Sequence, residues 1–520
     1  MSEGTNSDAS SGQQIDQIER DIAASWRLAA RFHDDSLRPA YHFMPAAAWM
    51  NDINGALFWK GRYHIFYQHN PDGGYWKWMQ WGHASSADLV HWIHHPIALT
   101  PDLDGPDRKG CYSGGAFVTR DGQPMLIYHG VPDGTCLATS HDDLLVKWEK
   151  HPDNPVIPSL KEGDADEGKY VVFDPCAWVE EDRYCALVGN RIPGLKGDRT
   201  ALFISKDLAT WQFVAPFYEW QAAWTDPGDD CAVPDFFSIG HKWMLLFCSH
   251  LQGSQYYLGQ LEGDRFIPDV HARLMWPGGQ LGGPRSLLDD QGRRIFFDWV
   301  EEVRGVERER ISGWAGVMTL PRVLSLAPDG TLAMDPLPEL DVLRMNERRV
   351  PPGTRVEPGA VLPLDDVDGD CLEMNMKIGL DEPDGQVRLA LRRSPDDAEV
   401  TTVVYDGAAG TLSVDVSRST LDPSIRYPAF RSSTRTETLP ESERYVGAQI
   451  APFHLGPDEP LALRVYLDRS ILEVFANRRQ CITQRIYPTR RDSTTAQLDG
   501  SGGGCTVHAL TAWDMAPARG

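Results

Sequence analysis

Along residues 13–32, Ile15, Ile18, Ile22, Trp26 and Ala29 recur three or four positions apart among polar neighbours, the spacing that lines one face of an α-helix. Ser10 and Ser11 stand just ahead as candidate caps, because a hydroxyl there can accept from the helix's unpaired first amides. The pattern predicts one short amphipathic helix, packed on the rest of the chain or on a second copy of it. From about Tyr41 the period shortens. Runs 56–59, 63–67, 125–128 and 243–248 are apolar and aromatic, bounded by Gly, Pro, Asp and Asn, with no long helical period between them. Strands are expected from here onward. Near the end, Leu463, Val465 and Leu467 alternate with Arg464, Tyr466 and Asp468, and a second apolar run, 471–476, follows a tight turn. That is the pattern of a hairpin in a β-sandwich.

A short motif recurs within the strand-rich part: Ser86, Asp88, Leu89 and Trp92; Ser140, Asp143, Leu144 and Trp148; Ser205, Asp207, Leu208 and Trp211. Propeller blades repeat every 40 to 50 residues or so, and these tryptophans, a little farther apart, suit four-stranded blades with generous loops. Residues 350–359, VPPGTRVEPG, have no periodic pattern and separate a Trp-rich front from a Trp-poor, Arg-rich back. The expected organisation is therefore a tail and helix over 1–37, a propeller domain over 38–349, a linker over 350–362 and a sandwich over 363–520.

Composition limits what this chain can do. Its 520 residues, 42% hydrophobic and 24% charged, can bury a large core, and 74 acidic against 50 basic side chains give a net charge of −24. Such a field repels nucleic acid and anionic membrane surfaces, so neither is an expected partner. No run of about 18 apolar residues exists to span a bilayer. Residues 1–12 lack the basic and apolar regions of a secretion signal, so a cytoplasmic setting is expected, or a secreted one if a signal has been removed. The nine cysteines are odd in number and widely spaced, which fits neither a disulfide framework nor zinc knuckles. Histidines 42, 64, 69, 83, 91, 94 and 95 crowd the front without the spacing and acidic companion of a zinc site, so no metal and no cofactor are expected. The helix and the sandwich are the candidate contacts of a homodimer.

Phosphate loops (GxxxxGK[ST]), zinc helices (HExxH) and nucleophile elbows (GxSxG) are missing. What the front offers is aspartate among aromatic and amide side chains: Trp49-Met-Asn51-Asp52-Ile-Asn54-Gly, Phe173-Asp174-Pro175, and Asp229-Asp230-Cys-Ala-Val-Pro234-Asp235. Flat rings stack on sugar faces, and carboxylates and amides hold hydroxyl groups. Cutting a glycoside takes two carboxyl groups, one to attack or assist at the anomeric carbon and one to protonate the leaving oxygen. An Asp beside Gly or Pro usually only caps a turn, but Asp52 stands apart because Trp49, Asn51 and Asn54 surround it.

These segments, with FYQHNP ending at Pro71, WGHA from Trp81, YSGGA from Tyr112, SGWAG from Ser312, LPR from Leu320, ILEVFAN from Ile471 and RIYP from Arg485, resemble in order and spacing glycoside hydrolase family 32. That is the invertase, inulinase, levanase and fructosyltransferase group, and the likeness runs from about Tyr41 to Asp514. It implies an all-β chain, a five-bladed β-propeller catalytic domain followed by a C-terminal β-sandwich. It also implies a retaining β-fructofuranosidase acting on sucrose, fructo-oligosaccharides or fructans. Asp52 would be the nucleophile forming a fructosyl-enzyme, Asp174 the transition-state stabiliser, and Asn51, Gln68, Trp76, Trp81 and Ser113 would line the fructose pocket.

Two positions depart from the family. Phe173 stands where an arginine usually precedes the stabiliser, so substrate contacts there must differ. The family's acid/base is a Glu next to Cys before Pro-Asp, and a gapless match puts Ala232 and Val233 there. Alternatively, the loop is two residues longer and Asp230, or failing that Asp229, supplies the proton; Asp235 is a weaker choice. If none does, the chain is a sugar-binding propeller with impaired catalysis. A fructosyltransferase like the levan fructotransferases is the other alternative.

Overall fold

The computed structural model describes residues 4–189, 192, 194–500 and 503–518. Helix Gly4–Ala29 begins well before the predicted start. It docks on strand Trp92–Leu99, where buried Asp21 lies 2.9 Å from Nδ1 of His95. Trp26, expected on the packed face, is 58% exposed, so a polar contact rather than a full apolar stripe fixes this helix.

The first domain is a series of antiparallel sheets made mostly of strands adjacent in sequence, as short apolar runs with turn residues between them dictate; the fifth passes from Arg294–Phe297 to Arg322–Leu326 across a separate two-stranded sheet. The first sheet holds Ala48–Trp59, Arg62–Asn70, Gln80–Ser86 and Trp92–Leu99, and the two-residue strand Trp314–Ala315 joins its inner edge in parallel. The second opens with Gly110–Val118, the third with Phe173–Val179, the fourth with Ala232–Ile239 and the fifth with Arg285–Leu288. Apolar layers fill the spaces between consecutive sheets. Ile127 and Leu137 meet Val188 and Phe203 between the second and third, and Leu187 meets Phe236 and Phe247 between the third and fourth. One further cluster joins Ile53 and Ile65 of the first sheet to Leu246 of the fourth and Ile295 of the fifth.

The recurrent Ser-Asp-Leu-Trp motif is the turn between third and fourth strands. Asp88 accepts from the Ser86 hydroxyl and from the amides of Val90 and His91, and Asp207 accepts from Ser205 and the amides of Ala209 and Thr210. In the second copy the capping residue is Asp142, not Asp143, and the leucine with positive φ is Leu145, matching Leu89 and Leu208. The motif there is offset by one residue because its turn is longer.

The C-terminal domain is a β-sandwich of a seven-stranded and a six-stranded sheet. The predicted hairpin is present as Leu461–Asp468 and Ile471–Ala476. Strands Arg344–Val350 and Thr354–Val356, which flank and enter the Pro- and Gly-rich segment, both pair with Cys505–Met515. The two domains are joined by buried polar groups. Asp468 accepts from the amides of Ala40, Tyr41 and His42, and Arg485 lies 2.8 Å from Glu302. All nine cysteines are free thiols. Among the described residues no helix is long and apolar enough to cross a membrane.

Candidate active site

The inner strands of the first four sheets share an irregular start. Register shifts fall between Met50 and Ile53, Cys111 and Gly114, Phe173 and Cys176, and Ala232 and Asp235. A bulge re-aims the side chains it carries. Asp174 and Val233 occupy the same left-handed conformation, with φ of 43° and 44°, each directly before a proline. Backbone strain of this kind costs about 1–3 kcal/mol and persists only where the surroundings impose it. The outcome is one open cavity of about 290 Å³ walled by Asp52, Asp174, Ala232, Val233, Cys248, His250 and Glu301, with Trp49, Trp76 and Trp299 as its aromatic side.

Asp52 accepts a 2.6 Å hydrogen bond from the Ser113 hydroxyl, which fixes one carboxylate oxygen. Asn51 accepts from the Trp49 indole at 2.7 Å. Opposite Asp52, a side chain at Gly283 would put its Cβ 2.9 Å from the carboxylate, so only glycine allows this approach. Of the residues expected to line the pocket, Trp76 stands half-exposed at its rim, whereas Trp81 and Gln68 are buried beneath it. Their side chains donate to the carbonyls of Tyr112 and Cys111, so they hold the strand that carries Ser113. Phe173 packs on Ala232, Val233 and Cys248, and the wall where an arginine and a glutamate were expected by resemblance is apolar.

The acidic pair before this strand points elsewhere. Asp230 accepts from the backbone amide and from Nδ1 of His250, both at 2.8 Å. Asp229 accepts from the Ser249 hydroxyl and, at 2.7 Å, from the Asp226 amide; burial pushes its carboxyl up to about 6. Both carboxylates thus clamp the turn after strand Lys242–Ser249, and neither lines the cavity that holds Asp52. Asp235 accepts from the amide and hydroxyl of Ser286, each at 2.7 Å.

Three groups in the cavity escaped the sequence reading. His250 reaches it from the clamped turn, Glu301 from the strand end after Trp299, and Arg431 from the sandwich. Arg431 lies 3.4 Å from Glu301, with its guanidinium 5.2 Å from the Trp299 ring centroid. Burial lifts the Glu301 carboxyl above its ordinary range, Arg431 opposing and Asp52 adding to the shift. The WVEE segment was a usable signal for Glu301. Nothing in the sequence around Arg431 points across a domain boundary.

Behind Gly283, the buried Asp298 accepts from the Gly283 amide at 2.8 Å, and burial raises its carboxyl to about 7. An unfolded aspartate titrates near 3.9, so the folded state binds the proton more tightly and this group's contribution to stability falls as pH rises from about 4 through 7. Asp298→Asn removes that loss. Its melting temperature relative to wild type should therefore be higher at pH 8 than at pH 5 in calorimetry; a difference independent of pH would show that Asp298 does not carry the titration.

Two aspartates converging on an open, aromatic-sided cavity are the equipment for cleaving glycosidic bonds, and the chain is a glycoside hydrolase. The model of the glycosyl hydrolases family 32 N-terminal domain matches residues 42–336, and that of the family 32 C terminal matches residues 339–514. The chain belongs to glycosyl hydrolase family 32. It is 31% identical to a sucrose-6-phosphate hydrolase of Escherichia coli, over 90% of this chain and 93% of that one. It is 29% identical to the levanase of Bacillus subtilis, over 92% of this chain and 70% of the levanase. Among solved structures, fructan 1-exohydrolase IIa of Cichorium intybus superposes with a TM-score of 0.78 at 25% identity, covering 93% and 98% of the two chains.

Proposed function

We propose that the protein is a retaining β-fructofuranosidase that hydrolyses terminal β-fructosyl linkages in sucrose, fructo-oligosaccharides or fructans. The observation that carries this reading is the placement of Asp52 and Asp174 on one cavity, each re-aimed by a bulge at the start of an inner strand. Asp52, oriented by Ser113, attacks the anomeric carbon; Asp174 holds sugar hydroxyls as positive charge develops; Trp76 and Asn51 meet the substrate directly. Gln68 and Trp81 act from beneath by fixing the pocket floor, and Phe173 shapes the wall. Relatives named for sucrose 6-phosphate, levan and fructan support a fructosyl substrate. The five successive sheets are read as blades of a five-bladed propeller over about 38–349, with the sandwich as its partner domain.

Chromatography of products from sucrose, sucrose 6-phosphate, inulin and levan tests the reading. Free fructose is expected. Fructosylated or cyclic products instead would identify a transferase. A second reading, a sugar binder without turnover, is favoured by the methyl side chain at Ala232. Binding by calorimetry with no sugar released would establish it.

A further inference from the structure

A glycosidic oxygen leaves as a neutral hydroxyl only if a proton reaches it as its bond to carbon breaks. Asp52 is committed to attack in the reading above, Ala232 and Val233 have no proton to give, and Asp229 and Asp230 lie outside the cavity. Burial holds the Cys248 thiol on this wall well above its ordinary range, and Arg431 stays charged, so the groups left beside Asp174 are His250 and Glu301. Glu301 is engaged by Arg431 at 3.4 Å, an arrangement suited to accepting from sugar hydroxyls.

His250 is placed differently. Ala232 pairs with Cys248 across the fourth sheet, so His250, two residues on, emerges beside the methyl group on the same rim. One carboxylate, Asp230, takes both its backbone amide and its ring Nδ1, which fixes the ring's position and makes Nε2 the nitrogen on the ring's other side. The imidazole is nevertheless half-exposed, and it lines both the cavity of Asp52 and the outer pocket beside Arg199. An aspartate holding one histidine nitrogen so that the other handles protons is a recurrent catalytic pairing.

We propose that His250, oriented by Asp230, is the proton donor and acceptor of this hydrolase, in the place that Ala232 leaves empty of acid. The inference rests on the fructosidase reading above. As the anomeric carbon bonds to a carboxylate oxygen of Asp52, protonated Nε2 gives its proton to the departing oxygen and the alcohol leaves neutral. Neutral Nε2 then takes a proton from water as that oxygen attacks the same carbon and the bond to Asp52 breaks. Water and glycoside become fructose and alcohol, and the enzyme is restored. Asp230 is a positioning residue that acts through His250.

Among the described residues, the charged groups around His250 include Asp229 and Asp230 beside it, Arg199 on its outer side, Asp52 and Asp174 across the cavity, and Glu301 with Arg431. Activity should fall on the alkaline side as His250 loses its proton.

The test is kcat/KM for wild type, His250→Ala, His250→Gln, Asp230→Asn and Glu301→Gln on sucrose and on p-nitrophenyl β-fructofuranoside, whose leaving group needs no proton. On sucrose, His250→Ala should lose about 10²- to 10⁴-fold, the usual size of general acid help, and on the nitrophenyl substrate less than about 10-fold. Added imidazole should restore part of the loss, and the alkaline limb should vanish in His250→Ala and move to lower pH in Asp230→Asn. If His250→Ala fails to fold, His250→Gln, whose amide still reaches Asp230, gives the same reading. Equal losses on both substrates, or a leaving-group split in Glu301→Gln in place of the His250 variants, overturns the proposal. A wild type active on sucrose and dead as Asp52→Asn, with both His250 variants at full rate, overturns this inference alone and leaves the hydrolase reading standing.

Discussion

Asp52→Asn should lower kcat on sucrose by on the order of 10⁴- to 10⁶-fold, the scale seen when an enzyme loses its covalent nucleophile. An amide oxygen cannot form the fructosyl-enzyme, yet it can still accept the 2.6 Å bond from Ser113, so the variant keeps the shape of the pocket. Sugar binding should therefore survive within about an order of magnitude, since only the transition-state interaction is removed. Steady-state kinetics and calorimetric titration on the same sample read the two effects separately. A variant that keeps a tenth or more of wild-type kcat would place the nucleophile elsewhere.

Arg285→Met should cost about 3–5 kcal/mol of stability, the usual penalty for breaking a buried charged network by removing one partner. The guanidinium is almost fully buried and donates to the carbonyls of Ile53, Gly114 and Pro234, one on the inner strand of each of three sheets. Its own strand opens the fifth, and Asp235 sits 3.8 Å away. Methionine fills the volume but leaves three carbonyls without their donor and takes the neighbouring positive charge from Asp235. Thermal unfolding of wild type and variant checks it, and a change worth less than about 1 kcal/mol would mean that water replaces the lost bonds.

Period alone made the strand-rich front and the C-terminal hairpin legible, because each buries a face that repeats at the spacing of its backbone, whereas the helix showed its period but is held by the buried Asp21 and leaves Trp26 exposed. Asp52 was legible from its amide and aromatic neighbours, which the cavity gathers around it. The proton donor was not. A sequence shows that Asp229 and Asp230 are acidic, but their direction depends on hydrogen bonds to a turn twenty residues later, Ser249 and His250. Gln68 and Trp81 sit in motifs that suggest sugar contact, yet a one-residue alternation along a strand decides whether a side chain meets the cavity or the floor beneath it. Glu301 and Arg431 meet only because the sandwich folds against the first domain, a contact with no local signature.

The pairing of Trp314–Ala315 with the start of Ala48–Trp59 sets a timetable for synthesis. The first sheet is made early, but the strand that covers its inner edge belongs to a segment translated after all of the second, third and fourth sheets. At about 5–20 residues per second, a ribosome leaves that edge open for on the order of tens of seconds. Throughout that interval the backbone beside Asp52 is a template for pairing with any passing strand. Holding the nascent chain apart from its neighbours during those seconds protects that edge until its own strand arrives.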